Sequence, residues 1–228
     1  MYKELKKRVL KANLDLPKYG LITFTWGNVS EIDREKNVIA IKPSGVDYDN
    51  MSIDDIVILD IEGNILEGKL KPSSDTPTHL EIYKAFNNVN GIVHTHSTYA
   101  TSWAQAKRDI PCYGTTHADY FFGSIPCTRS LTSSEIEDEY EKNTGVLIAD
   151  KFKYIDPIAV PSVLVPNHGP FSFGKDAINA VHNAVVLEEV AKMAYFSENI
   201  EKNIKEAPKN IQNKHYFRKH GKNAYYGQ

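Results

Sequence analysis

Two cysteines in 228 residues leave little room for thiol chemistry. Cys112 and Cys127 form no CxxC and no ladder of spacings, so they read as ordinary thiols of a reducing compartment, not as a disulfide framework. An excess of one charge is missing too. The 27 basic and 29 acidic side chains give a formal charge of −2, which excludes a strongly basic nucleic-acid surface. No Gly-x-Gly occurs, so a dinucleotide fold has no support. Two GxxxxGK matches begin at Gly63 and Gly169, but neither ends in the Ser or Thr that binds Mg²⁺. In the second, Pro170 removes a donor, and Asp176 is better read as a helix N-cap. Long apolar runs are also lacking. The uncharged stretch between Lys84 and Lys107 carries Asn87, Asn88, Asn90, His94 and His96, groups too costly in hydrocarbon, so no membrane partner is expected. The opening from Met1 to Arg8 has no apolar run behind it and gives no signal peptide, so a cytoplasmic location is the expectation.

What the chain does contain is ordinary for one α/β domain with a sizeable core: 41 % hydrophobic and 25 % charged residues. Leu5, Val9, Ala12 and Leu16 predict a helix from Tyr2 to about Asp15, stopped by Pro17. Val38-Ile41 reads as a strand, and Ile56-Ile61 turns at Glu62-Gly63-Asn64 into Ile65-Leu66 as a hairpin. Strands this close together favour an antiparallel or mixed sheet over a run of βαβ units. A helix starts at Thr76 or Thr78, with Thr78 and Glu81 at capping-box spacing. A strand at Gly91-His96 and a small-residue helix from Tyr99 to Ala106 follow. Thr132 to Glu135 is a second capping box, opening a helix that Gly145 can close. Ser162-Val165 reads as a buried strand, and the longest helix begins after Asp176. The polar, basic stretch after about Glu198 has the composition of a solvated tail, yet Tyr225-Tyr226 at its close argues against plain disorder.

Eight histidines invite a search for metal ligands. His94-Thr95-His96 sits in a β-branched segment, and strand residues two apart point to one face, so two imidazoles converge. His168, in a turn after a buried strand, is a natural third ligand, and Asp75, at a turn before a helix, is a candidate fourth. His79, four residues beyond Asp75, is the rival, although the helix should turn it away from the pair. Three imidazoles and a carboxylate suit a divalent transition metal, most simply zinc, in a catalytic site. Lys42-Pro43-Ser44-Gly45 and Lys71-Pro72-Ser73-Ser74 each offer hydroxyls, backbone N–H groups and a lysine, the parts of an anion or phosphate site. The second leads directly into Asp75. A metal beside a phosphate pocket suits chemistry on a phosphorylated sugar, with Asp119 and Tyr225-Tyr226 as candidate proton carriers.

In order along the chain, Thr25-Trp26-Gly27-Asn28-Val29-Ser30, Lys42 to Tyr48, Lys71 to His79, His94-Thr95-His96, Gly114 to Tyr120, His168-Gly169-Pro170 and Ala224-Tyr225-Tyr226-Gly227-Gln228 resemble the L-ribulose-5-phosphate 4-epimerases, a branch of the class II aldolase superfamily. The resemblance runs essentially end to end. It implies a central, mainly antiparallel sheet layered by helices in a single domain over 1–228, with a tail from about 199 completing an intersubunit site in a cyclic homotetramer. Zn²⁺, or Mn²⁺ in its place, would be held by Asp75, His94, His96 and His168. Gly27, Asn28, Ser44, Gly45, Ser73 and Ser74 would bind the phosphorylated ketopentose. Asp119 would be one acid/base, and Tyr226 of the adjacent subunit the other. Thr115, Glu141 and His215 would be further contacts at that interface. The reaction implied is inversion at C4 through retro-aldol cleavage and readdition. A sister aldolase of the L-fuculose or rhamnulose 1-phosphate type is the alternative, with a glutamate expected where Asp75 stands. A non-catalytic zinc-bound sugar-binding assembly is the remaining one.

Overall fold

The computed structural model describes residues 2–222 and 224–226, so Gly227 and Gln228 of the closing motif lie outside the described residues. Helix α1 (Lys3–Lys18) buries Leu5, Val9, Ala12 and Leu16 on one face. It runs through Pro17, contrary to expectation. The stop is Gly20, left-handed at φ +68°, with Leu21 N–H donating to Leu16 O at 3.1 Å. That six-to-one bond is a Schellman motif, and Leu16 and Leu21 supply its apolar contact.

Seven strands form one antiparallel sheet in the order β4-β3-β2-β1-β5-β7-β6. They are β1 (Asn28–Asp33), β2 (Val38–Ile41), β3 (Val57–Asp60), β4 (Ile65–Glu67), β5 (Gly91–His94), β6 (Ser162–Val165) and β7 (Gly169–Gly174). The expected hairpin is β3-β4, turned at Gly63 with φ +93° and braced by the Asp60 carboxylate, which accepts from the Glu62 and Asn64 amides. Neither β1 nor β7 is in the sequence reading, yet both are interior strands of the sheet, flanking β5.

Helices cover both faces of the sheet. One core packs Ile92, Phe171 and Phe173 beneath α2 (Thr76–Ala85), α3 (Thr98–Gln105) and α6 (Tyr140–Lys151); the other packs Val29, Val38, Ala40 and Ile58 beneath α1. The long α7 (Ala177–Ile200) reaches both, and Asp176 caps it as expected by accepting from Asn179 N–H at 2.7 Å. Its buried stripe is built from Ala177, Ala180, Ala184, Ala191 and Ala194 as much as from Val181, Leu187 and Val190. Ile178 and Met193, apolar residues of the same helix, are exposed.

Two further expectations about helix ends fail. Thr78 does not cap α2; Asp75 holds the N-cap position, and Thr78 Oγ1 donates to the Glu141 carbonyl instead. The capping box at Thr132 and Glu135 forms, but it opens only the short α5 (Ser133–Glu137). Gly145 then lies inside α6, where a Cβ would meet Thr78 O at 2.8 Å and Glu81 Cβ at 2.7 Å, so glycine is what lets α6 approach α2. The basic tail folds as α8 (Lys209–His220) against α4 (Thr115–Ala118).

Candidate functional site

Strand β5 ends at His94, so His96 lies beyond it and the pair does not share a regular strand face. The two rings converge nonetheless, with Nε2 atoms 3.1 Å apart. His94 is stacked on Phe171, with ring centroids 4.3 Å apart, and its Nδ1 donates to the Pro170 carbonyl at 3.0 Å. A carbonyl can only accept, so the neutral His94 ring presents a bare Nε2. His168 arrives on the β6-β7 turn. Pro166 sets one φ, Asn167 takes the left-handed φ of +60°, and His168 N–H closes the turn on Val165 O at 3.1 Å. Gly169 then passes so close to Thr95 O, 2.7 Å from where a Cβ would stand, that only glycine fits.

Ligand atoms of His94, His96 and His168 all lie within 4.8 Å of one another. Two nitrogens on one tetrahedral zinc ion, with bonds of about 2.0–2.1 Å, stand about 3.3 Å apart, so the His94–His96 spacing fits a divalent ion. Burial holds the His96 and His168 imidazoles below their usual range, which favours the neutral, ligating form.

Among the described residues, the three histidines make up this cluster, and Asp75 lies beside it on the wall of the same pocket. Its Oδ2 accepts from Asn28 Nδ2 at 2.7 Å. Burial pushes the Asp75 carboxyl up, whereas the Asn28 amide, and any proton carried by the facing His94, His79 or His168 ring, favours the carboxylate, and the balance lies below the ordinary carboxylate value. Asn28 Oδ1 is buried without a partner among the described residues. His79 is turned away from the cluster, as expected. Its ring meets Phe171 edge-on at 6.2 Å, its Nδ1 lies 2.7 Å from Ser30 Oγ, and burial pushes its pKa down to about 3.

The two Ser-rich loops are paired with each other. Pro43 bridges Pro72, Ser44 N–H donates to Lys71 O at 2.9 Å, and Ser73 N–H donates to Lys42 O at 3.0 Å. Those two amides are consumed, so of the donors expected on the loops the hydroxyls of Ser44 and Ser74 and the Gly45 and Ser74 amides have no partner among the described residues, while Ser73 Oγ accepts from the Asp75 amide at 3.4 Å and keeps its proton to donate. Lys42 is buried, its Nζ donating to Val46 O at 2.8 Å, and burial lowers its pKa. Gly27, Asn28, Lys42, Ser44, Gly45, Ser73, Ser74, Asp75, His94, His96, Glu141 and His168 all line one cavity of about 510 Å³. Thr25, Trp26, Pro43 and Tyr140 complete its wall.

Thr115, Asp119, His215 and Tyr226 do not line that cavity. They belong to a second constellation, at α4 and α8. Arg218 clamps the Asp119 carboxylate with Nε to Oδ1 at 3.1 Å and Nη2 to Oδ2 at 2.9 Å, and His215 Nδ1 approaches Oδ1 at 3.1 Å. His220 Nε2 donates to the Asp119 carbonyl at 2.8 Å, while Asp119 N–H donates to Thr115 O. The Arg218 guanidinium also lies 4.1 Å from the Tyr226 ring centroid. Asp119 and Tyr226 of one chain therefore share a single arginine, whereas the resemblance assigns them to opposite sides of an interface. Arg218, His220 and Tyr140 are residues that sequence reasoning passed over. The first two sat in what read as a solvated basic run, and Tyr140 carries no motif.

The class II aldolase and adducin N-terminal domain model matches residues 7–195. Among solved structures, an L-fuculose 1-phosphate aldolase is 28 % identical, over 93 % of this chain and 94 % of that one, with a TM-score of 0.79. An L-fuculose 1-phosphate aldolase from Glaciozyma antarctica PI12 is 18 % identical, over 94 % and 80 % of the chains, with a TM-score of 0.76. A Klebsiella pneumoniae protein, YgbL, for which aldolase, epimerase and decarboxylase activities have all been put forward, is 20 % identical over 94 % and 98 %, with a TM-score of 0.75. The last two likenesses speak for the fold alone.

Proposed function

As this chain belongs to the class II aldolase and adducin N-terminal domain family, we propose that its pocket breaks and remakes a carbon–carbon bond of a phosphorylated ketose, converting L-ribulose 5-phosphate into D-xylulose 5-phosphate. The observation that carries the proposal is the placement of the three-imidazole cluster, the Asp75 carboxylate and the paired serine loops around one cavity. A divalent ion held by His94, His96 and His168, with Asp75 as a fourth ligand, would supply Lewis-acid stabilisation of the charge that develops on the ketose oxygens; zinc suits the nitrogen-rich set, and manganese is the alternative.

The chain's own groups divide the remaining work. Hydroxyls of Ser44, Ser73 and Ser74 and the Gly45 and Ser74 amides hold the phosphate, with buried Lys42 behind them. Asn28 fixes Asp75 through Nδ2. The C4 hydrogen is β to the ketone and too weakly acidic for direct abstraction, so inversion proceeds by cleaving C3–C4. A base takes the C4 hydroxyl proton, the bond breaks to an enediolate and glycolaldehyde phosphate, and the aldehyde turns to offer its other face. The bond then re-forms and the new C4 alkoxide takes back a proton. Asp119 and Tyr226 are the proton carriers. Because neither reaches the imidazoles within one chain, a neighbouring copy in a ring, a tetramer in this proposal, supplies them, and the shared Arg218 makes them arrive together.

The second reading is an aldolase releasing dihydroxyacetone phosphate, and the 28 % identical L-fuculose 1-phosphate aldolase supports it more directly than any comparison supports the first. Asp75, the shorter carboxylate where the aldolases are expected to carry glutamate, favours epimerisation. Incubation with each substrate in turn, followed by NMR, separates the readings. D-xylulose 5-phosphate from L-ribulose 5-phosphate is the expected product; free lactaldehyde from L-fuculose 1-phosphate, without that product, sinks the epimerase reading. Removal of metal with dipicolinate should abolish turnover and added Zn²⁺ or Mn²⁺ restore it, whereas metal content without turnover on either sugar would leave only a binding role.

A further inference from the structure

His168 is the one imidazole of the cluster carried on a turn. His94 is braced by its strand, by Phe171 and by the Pro170 carbonyl, but the partner of His168 is a side chain from another element: Tyr140 Oη stands 3.3 Å from His168 Nδ1, with the rings 6.0 Å apart. Tyr140 is the first residue of α6, and it lines the cavity. Its position is set from two directions. Gly145, one turn further on, allows α6 to lie against α2, and the Thr78 hydroxyl ties α2 to the Glu141 carbonyl, the residue after Tyr140. The chain thus devotes a close helix crossing and an interhelical hydrogen bond to fixing where that phenol stands.

We propose that Tyr140 is a positioning residue for the metal centre, its hydroxyl accepting the Nδ1 proton of His168 and so presenting Nε2 to the ion. The proposal rests on the reading of His94, His96 and His168 as ligands. The chemistry is that of any ligating imidazole: the hydrogen bond at one nitrogen selects the tautomer and aims the lone pair of the other, and loss of such a partner weakens metal binding by about 10–100-fold. The neutral state of His168 is the one this arrangement needs, since a proton on Nδ1 leaves Nε2 bare. Tyr140 also separates two jobs, because its ring packs beside His168 while only its hydroxyl orients it.

Two variants divide those jobs. Tyr140→Phe keeps the ring and removes the hydroxyl, and Tyr140→Ala removes both. Zinc affinity is measured by competition with a chromophoric chelator, and the ligand field by the visible spectrum of the Co²⁺-loaded protein, with the far-ultraviolet circular dichroism and thermal midpoint of the apoproteins as fold controls. Tyr140→Phe should fold as the wild type, lose affinity by about 10-fold or more, and show an altered Co²⁺ spectrum. A Tyr140→Phe protein with wild-type affinity and an unchanged spectrum overturns the proposal, as does an effect seen only in Tyr140→Ala, which would assign the role to the ring. If the wild-type protein itself binds neither ion, the metal reading fails first, and that outcome is distinct from the other two.

Discussion

His117 is a buried histidine with no part in the metal cluster. Its Nε2 lies 2.8 Å from the Gly123 carbonyl and must donate to it, and burial pushes its pKa down to about 4. A group whose folded pKa is depressed below an unfolded value near 6.5 favours the neutral form on folding, so its contribution is complete above pH 6.5 and is lost as the pH falls toward 4. His117 should therefore contribute up to about 1.4 kcal/mol per pH unit to the loss of stability through that window, measured by urea unfolding. In His117→Gln, whose amide can still reach Gly123, the slope should flatten; an unchanged slope would locate the acid sensitivity elsewhere. At this scale the sequence was legible where chemistry needs rare residue types at short spacing. His94 and His96 announce themselves, and His168 follows from its place after a strand. Arg218 and Tyr140 were illegible because their partners, Asp119 and His168, lie 99 and 28 positions away.

Two glycines show why one residue type needs different arguments in different elements. Gly20 has φ +68° and open space around it, so Gly20→Ala meets only the left-handed backbone penalty, about 1–2 kcal/mol. Gly145 is helical and crowded, so Gly145→Ala forces a helix pair apart, at about 1–3 kcal/mol. Chemical denaturation measures both. The second substitution should also weaken metal binding, since it displaces the start of α6, and the first should leave it unchanged. Elements were readable where burial follows apolar periodicity, as in α1, β2 and β3. Strand β1 was missed because three of its five buried residues, Asn28, Ser30 and Glu31, are polar, leaving Val29 and Ile32 without a period-two pattern. Asn28 engages Asp75, Ser30 engages His79 and Tyr83, and Glu31 takes Arg8 and the Ala177 amide. A strand that serves as an anchorage for the site cannot also display hydrophobic alternation. Strand β7, Gly-Pro-Phe-Ser-Phe-Gly, hid behind turn-forming residues whose small size is what the crossings at Thr95 and Ala180 require.

For the whole molecule, the separation of the imidazole pocket from the Asp119–Arg218–Tyr226 constellation makes a complementation test decisive. His94→Asn and Tyr226→Phe chains should each be inactive alone. Mixed after reversible dissociation in equal amounts, they should recover up to about a quarter of wild-type activity, because half the pockets are intact and half of those meet an intact neighbour. No recovery would mean that each chain completes its own site.

The sheet also has two borders, and their construction limits how copies can associate. At one border β4 is three residues long, its pairing with β3 is irregular, and Glu67 is tied to Lys6 at 2.6 Å. At the other, the chain at Pro126–Thr128 already occupies the β6 backbone, with Leu164 N–H donating to Pro126 O and Thr128 N–H to Leu164 O, both at 2.9 Å. An incoming strand finds a short, irregular template on one side and a sealed one on the other, so the sheet is protected against edge-to-edge polymerisation. Self-association is thereby channelled to helical and loop surfaces, where a closed assembly can form without an amyloid-like competitor.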